Sequence, residues 1–335
     1  MNVLNSRTAE IFSRVLESTD QERRRVEEML AASDADAPEF WRPGAAEEML
    51  VPVSGALLRV LRVPPPRPAA LRPIVLVPGW GAVAEGFQDF YRAIHGRAEL
   101  YYLETREKSS SRILDRRAEM TVSRSARDIA EILDFLGFTG KSDFILMGAC
   151  WGASIILQGV IDGTLDAPTI LLADPMHTLW FPKWLLRYVE PLLPAGLIGA
   201  ARRLIMNALV GNMREPTQKA RAYAFAHGAD PWKWKKSARA ARDFELFGAL
   251  SRVEKEIFVL NGTTDMIHDQ THYPRIAWEL PRGRFLYMPT GEDTRERLFG
   301  TAALELARVG AADGLPASLA RFEKNIRDGA RLQEE

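Results

Sequence analysis

The sequence predicts an α/β fold, a mostly parallel sheet covered by helices on both faces, and three observations carry that prediction. Short apolar runs alternate along the chain with longer stretches whose apolar residues recur at helical spacing, the order expected when strands and crossover helices take turns. The runs, Ile74 to Val77 and Thr169 to Ala173 among them, are continuous rather than alternating, as in strands buried on both faces. Gly148-Ala149-Cys150-Trp151-Gly152 stands between one such run and a helical stretch, where small residues permit a tight strand-to-helix turn.

Taken in order, residues 1–48 read as an N-terminal helical extension. Ile11, Phe12, Val15 and Leu16 share one helical face, Thr19 and Glu22 form a capping box, and Val26, Met29 and Leu30 resume the stripe. Such a stripe is a docking face for the core. The first part of the core spans 49–174. Met49 to Val53 and Ala56 to Val63 flank Ser54-Gly55 and predict a hairpin at a sheet edge, after which Pro64-Pro65-Pro66-Arg67-Pro68 forces an extended connection. Then come a strand at Ile74 to Val77, a helix near Phe87 to Ile94 and a strand at Leu100 to Leu103. A helix follows from Thr121 to Leu136, with Val122, Ala126, Ile129, Leu133 and Leu136 on its inner face, and then strands at Phe144 to Met147 and Thr169 to Ala173.

Residues 175–255 hold no convincing strand and read as a helical cap or lid insertion. Trp180, Phe181, Trp184, Leu185, Leu192, Leu193, Leu204, Ile205 and Leu209 in it either pack helix against helix or cover an apolar substrate site. The second part of the core, 256–335, supplies strands at Ile257 to Leu260 and Phe285 to Met288 and ends in a surface helix after Asp313.

Composition narrows the function. At 335 residues the chain can bury a substantial core, and its 44 basic side chains balance 44 acidic ones, so no net field draws it to nucleic acid or anionic lipid. The one cysteine excludes an internal disulfide and fits a reducing compartment. Met1 to Ala9 lacks a signal-peptide core, and no run approaches the roughly 18 apolar residues of a membrane span, so a cytoplasmic protein without a transmembrane segment is expected. Five scattered histidines beside a lone cysteine make no metal constellation, and no phosphate-loop spacing occurs, so neither metal nor cofactor is expected.

Gly148 to Gly152, between strand and helix, has the form of a nucleophile elbow with Cys150 at the nucleophile position. Ile74-Val75-Leu76-Val77-Pro78-Gly79-Trp80-Gly81 looks like a strand with its oxyanion loop, and Glu104-Thr105-Arg106 through Ser111 looks like a diverged Asp-x-Arg-Gly-x-Gly-x-Ser turn. On these segments residues 70–310 resemble the α/β-hydrolase superfamily. The resemblance implies an α/β-hydrolase fold, an oxyanion hole formed by the backbone N–H groups of Trp80 and Trp151, and a triad acid at Asp265, with Asp174 as the alternative position. Polyhydroxyalkanoate synthases are similar in placing cysteine within a Gly-x-Cys-x-Gly elbow.

The departure from the family is the histidine. Met288-Pro289-Thr290-Gly291 is followed by Glu292, and the last histidine of the chain is His272. Glu292, His177 and His268 are the remaining candidates for a base. A thiol, with an ordinary pKa of about 8.5, can react without the base that serine requires. Three readings follow. In the first, Cys150 carries ester or thioester hydrolysis or acyl transfer on a small-molecule substrate, an apolar acyl compound if the insertion covers the site. In the second, a catalytically degenerate member acts as a binding or scaffold protein. In the third, the same fold runs a non-covalent lyase reaction.

Overall fold

A computed structural model describes residues 6–65, 71–138, 143–179, 182–200, 219, 223–224, 228, 230–263 and 269–327. β1 (Glu47–Val53) and β2 (Ala56–Val63) form the expected hairpin, turned at Gly55 with φ of +75°. After them come β3 (Ile74–Val77), β4 (Leu100–Leu103), β5 (Arg112–Ile113), β6 (Ile145–Ala149), β7 (Thr169–Ala173), β8 (Ile257–Asn261), β9 (Gly283–Tyr287) and β10 (Glu323–Lys324). Among the described residues they make one sheet in the order β1-β2-β4-β3-β6-β7-β8-β9-β10, with β5 paired to β2. From β4 through β9 every pairing is parallel; the hairpin and β10 add antiparallel edges.

The α-helices whose full extent lies among the described residues are α1 (Ser6–Arg14), α2 (Asp20–Ala31), α3 (Gln88–Ile94), α4 (Val122–Phe135), α5 (Trp151–Ile161), α6 (Pro231–Ala241), α7 (His272–Glu279), α8 (Arg295–Ala307) and α9 (Ala317–Ala320). Because successive strand residues point to opposite faces, Val75 and Val77 join one core with α4 and α5, while Ile74 and Leu76 join the other with α3 and α8. Both sheet faces are thus dry, which explains the continuous apolar runs. This is the α/β-hydrolase architecture, a mostly parallel sheet flanked by helices.

The N-terminal stretch is two helices joined at the Thr19 capping box. Phe12 meets Trp278 of α7 edge to face at 6.2 Å, Val26 and Leu30 are buried, and Glu22 pairs with Lys324 at 2.8 Å. The apolar stripe is therefore spent on the core. The chain's end departs from the sequence reading. Where a surface helix was expected after Asp313, the described residues, which end at 327, form the four-residue α9 and then β10, which pairs with β9, with Phe322 and Ile326 buried beside it. The unpaired edge of β9 offers backbone partners that a solvent-facing helix would forgo; Tyr287 N donates to Phe322 O at 2.9 Å.

Between β7 and β8 the described residues hold a π-turn, Leu185–Val189, a 3-10 turn, Glu190–Leu192, helical residues 195–200, α6 and a second 3-10 turn, Leu250–Arg252, and an isolated bridge pairs Thr178 with Glu245. Trp180, Phe181, Leu204, Ile205 and Leu209 lie outside the described residues. Among those described, no helix is long and apolar enough to cross a membrane, and no group of His, Cys, Asp and Glu could hold a metal ion.

Candidate active site

The site lies at the C-terminal ends of β6 and β7, where open parallel sheets bind ligands. β6 ends at Ala149, and Cys150 turns the chain into α5 with φ 51° and ψ −117°. Such a conformation costs a non-glycine residue about 1–3 kcal/mol and persists only where its surroundings over-determine it. Here they do. A Cβ on Gly152 would lie 2.2 Å from the Val77 carbonyl oxygen, and one on Gly148 would lie 2.4 Å from Ala153 Cα, so α5 approaches the sheet too closely for any other residue. Cys150 N donates to Ala173 O at 2.8 Å, and Trp151 becomes the first residue of α5, whose N–H falls outside the helical ladder.

The loop after β3 lies against the cysteine: a Cβ on Gly79 would be 3.3 Å from Cys150 Cβ and 3.7 Å from Sγ. Cys150 Sγ also approaches Met176 Sδ at 3.4 Å. Trp80 is held from outside, its ring stacked on Trp234 of α6 at 4.2 Å and its Nε1 donating to Ser237 Oγ at 3.0 Å.

Behind this loop runs the segment Glu104 to Lys108, all five residues buried. Lys108 Nζ donates to Gly79 O and pairs with Glu107 at 3.0 Å, while Glu107 accepts from Gly81 N at 3.3 Å and from Thr105 Oγ1 at 2.7 Å. Burial alone would raise the Glu107 pKa, but Lys108 and these hydrogen bonds outweigh it and hold the carboxyl below its ordinary value. Arg106 bonds Asp128 at 2.7 Å, and Glu104 accepts two bonds from Arg59 at 2.9 and 2.8 Å. Lys233 of α6 closes the network, reaching the carbonyls of Lys108 and Ser111. A cavity of about 350 Å³ lined by Arg59, Glu104, Lys108, Ser109 and Ser110 adjoins this segment; Cys150 is not part of its wall.

Asp174 follows β7 with φ 49°, and it and Cys150 are the two non-glycine residues of positive φ among those described. Its side chain is buried; Oδ1 accepts from Asn261 Nδ2 at 2.8 Å and Oδ2 from Arg295 Nε at 2.7 Å. Arg295 opens α8, four residues after Gly291. Burial would lower its pKa, but the charge of Asp174, then that of Glu296, outweighs it and holds the guanidinium well above its ordinary value. The sequence reading missed Arg295. The signal available to it was a cation just past the strand where the family's histidine belongs.

The other candidates fall as follows. Glu292 sits half-buried at the start of the 3-10 turn Glu292–Thr294 that leads into α8. His177 bonds Glu245 at 2.9 Å through Nδ1, stacks on Phe247 at 4.4 Å and meets His272 edge to face. Burial, then the charge of His177, lowers the His272 pKa to about 4. Asp265 and His268 lie outside the described residues.

No curated protein sequence matches the chain. In structure it is similar to a hydrolase from Pseudomonas aeruginosa PA01, at 17% identity over 78% of this chain and 99% of that one, with TM-score 0.61. It is similar also to an esterase from Exiguobacterium antarcticum, at 17% identity over 79% of this chain and 100% of that one, with TM-score 0.62. An enol-lactonase from Burkholderia xenovorans LB400 covers 78% of this chain and 100% of its own length at 14% identity, with TM-score 0.61. The model of the alpha/beta hydrolase family matches residues 74–308, from the first parallel strand to the end of α8, and the chain belongs to that family.

Proposed function

We propose that this protein hydrolyses or transfers acyl groups from small esters or thioesters through Cys150. The observation that carries the reading is the strained Cys150 turn at the tip of α5, with the Gly79-Trp80 loop packed against it. The sulfur of the thiolate attacks the carbonyl carbon, forming a C–S bond while the π pair moves to oxygen. The N–H groups of Trp80 and Trp151 hold that oxyanion, at a helix N-terminus whose dipole favours negative charge. Collapse expels the alkoxide or thiolate leaving group, which an alkoxide completes by taking a proton from water. Attack by water on the thioester then releases the acid and returns the thiolate; an alcohol or amine in place of water gives transfer.

Membership of a family that includes esterase and lactonase folds among its structural neighbours supports ester chemistry. The test is intact-mass spectrometry of the full chain mixed with p-nitrophenyl esters and acyl thioesters of graded length, against Cys150→Ala. A transient adduct of acyl mass, absent from the variant, is expected. Turnover that survives unchanged in Cys150→Ala would leave the fold intact and retire the covalent reading.

A further inference from the structure

Among the described residues seven large apolar side chains are exposed, and four of them, Trp184, Tyr188, Leu192 and Leu197, stand in one stretch of the cap at 54–82% exposure. The first three recur every fourth residue along the helical run 183–192 and so share one of its faces. Leu186 and Glu190, also four apart, are buried on the other. The run thus turns its aromatic stripe to solvent and its carboxylate inward, where Arg239 of α6 donates to Glu190 at 2.9 Å. Packing does not account for that orientation, because a stripe used for packing faces the core, as Phe12, Val26 and Leu30 of α1 and α2 do. We infer that this face of the cap rests on an anionic lipid surface, with Trp184, Tyr188, Leu192 and Leu197 seated at headgroup level and the basic side chains around them paired with lipid charge. The inference does not rest on the acyl-transfer reading.

Charge selects the occupant. Over the whole chain 44 basic side chains balance 44 acidic ones, but they are not evenly spread. With the buried Lys233 and Glu190 set aside, residues 182–200 and 230–243 present six cations, Lys183, Arg187, Lys235, Lys236, Arg239 and Arg242, against Asp230 and Asp243. Of those two acids, Asp230 caps α6 and Asp243 pairs with Arg187 and Arg242. The cations lie close to the stripe. Lys183 and Arg187 directly precede Trp184 and Tyr188, and Lys235 Nζ donates to Leu193 O, beside Leu192. A Cβ on Gly199 would lie 2.8 Å from Pro231 Cγ, which seats the helical residues 195–200, Leu197 among them, against the start of α6. Trp and Tyr settle at the boundary of hydrocarbon and water because each has an apolar body and a polar tip. Long basic side chains lay their stems along apolar surface while their heads reach anionic phosphate. A second copy of this chain is a poorer occupant, since pairing the face with itself would bring two basic rims together.

The experiment is co-sedimentation of the full chain with vesicles of phosphatidylcholine containing about 30% phosphatidylglycerol, and with vesicles of phosphatidylcholine alone, at about 0.1 M and about 0.5 M salt. The wild type is expected to bind the anionic vesicles at least about tenfold more strongly than the neutral ones and to lose most of that advantage at the higher salt. Trp184→Ser with Tyr188→Ser and Leu192→Ser, and separately Lys183→Gln with Arg187→Gln, should each weaken binding at least about tenfold. All five side chains are exposed, so both variants should keep the wild-type circular dichroism. If the triple variant does not fold, the charge variant and Leu192→Ser alone decide. A wild type that stays in the supernatant with both kinds of vesicle, one that binds both equally, or variants that bind as tightly as wild type overturn the inference. So does a dimer in light scattering that the triple variant dissolves while no vesicle is bound, which assigns the face to a second copy. Cys150→Ala should bind vesicles as the wild type does, so failure of the acyl-transfer reading and failure of lipid binding are read separately.

Discussion

Lys108→Met tests whether the buried charges behind the site act as a matched set. Lys108 and Glu107 have side chains 1% and 4% exposed and sit 3.0 Å apart. Removing the lysine leaves a buried carboxylate whose remaining partners are Thr105 Oγ1 and Gly81 N, and breaking a buried pair from one side costs about 3–5 kcal/mol. Removing both charges, as Glu107→Gln with Lys108→Met, leaves an amide that can keep the Thr105 bond and should cost less than about 2 kcal/mol. The assay is urea unfolding at pH 7 with a shared m-value, so that midpoints convert directly to stability. The sign of the pH dependence gives a second readout. In the wild type the Glu107 pKa is depressed, so its contribution is present above about 4.3 and lost as pH falls through the folded value. Without Lys108 burial acts unopposed by the ammonium and the pKa rises, so the deficit of the single variant should shrink as pH falls from 7 to 5. A single variant no less stable than the double one would refute the reasoning.

Two further outcomes are expected. Gly152→Ala should lower stability by about 1–3 kcal/mol, because a Cβ 2.2 Å from the Val77 oxygen forces α5 off the sheet, outweighing the roughly 1 kcal/mol by which alanine favours a helix; a melting temperature equal to or above that of wild type would contradict this. For His272, a folded pKa of about 4 against an unfolded value near 6.5 means the unfolded chain takes up the proton first, so stability is full above about 6.5 and falls towards pH 4. His272→Asn should flatten the decline of melting temperature across that window, and an unchanged slope would show that the histidine contributes nothing to it.

Much of this fold was legible because burial on both faces leaves a simple trace. Thr169–Ala173 and Ile74–Val77 coincide with their strands, and the Thr19 capping box falls where the sequence puts it. The elbow was legible for a different reason: Gly148 and Gly152 are demanded by sterics within a few residues of each other. What stayed hidden rests on partners far apart in sequence. Glu104 to Lys108 shows in the sequence only as a diverged family turn; its burial depends on Arg59, Asp128 and Lys233, which neutralise and hydrogen-bond it. Arg295 reads as an ordinary first-turn residue until Asp174, 121 positions earlier, takes its Nε. The C-terminal strand was missed because its two residues carry no β pattern of their own and pair only because β9 presents an open edge.

The same distinction bears on whether this member of the family is an enzyme or a binding protein. A tight turn from β6 into α5 needs Gly148, Gly152 and a positive φ at residue 150 whether or not any bond is ever made there, so the elbow alone cannot separate the two readings. Nor can the buried Glu104–Lys108 network, which supports the loop in either case. The turn places no demand, however, on a cation from the start of α8. A structural partner for Asp174 needs only to satisfy one carboxylate oxygen, which a neutral donor could do at lower desolvation cost, as Asn261 does for the other. Labelling of the one cysteine against pH separates enzyme from scaffold more directly than a survey of substrates: a midpoint well below the ordinary thiol value of about 8.5 marks a nucleophile held ready, and one at or above it marks a structural thiol.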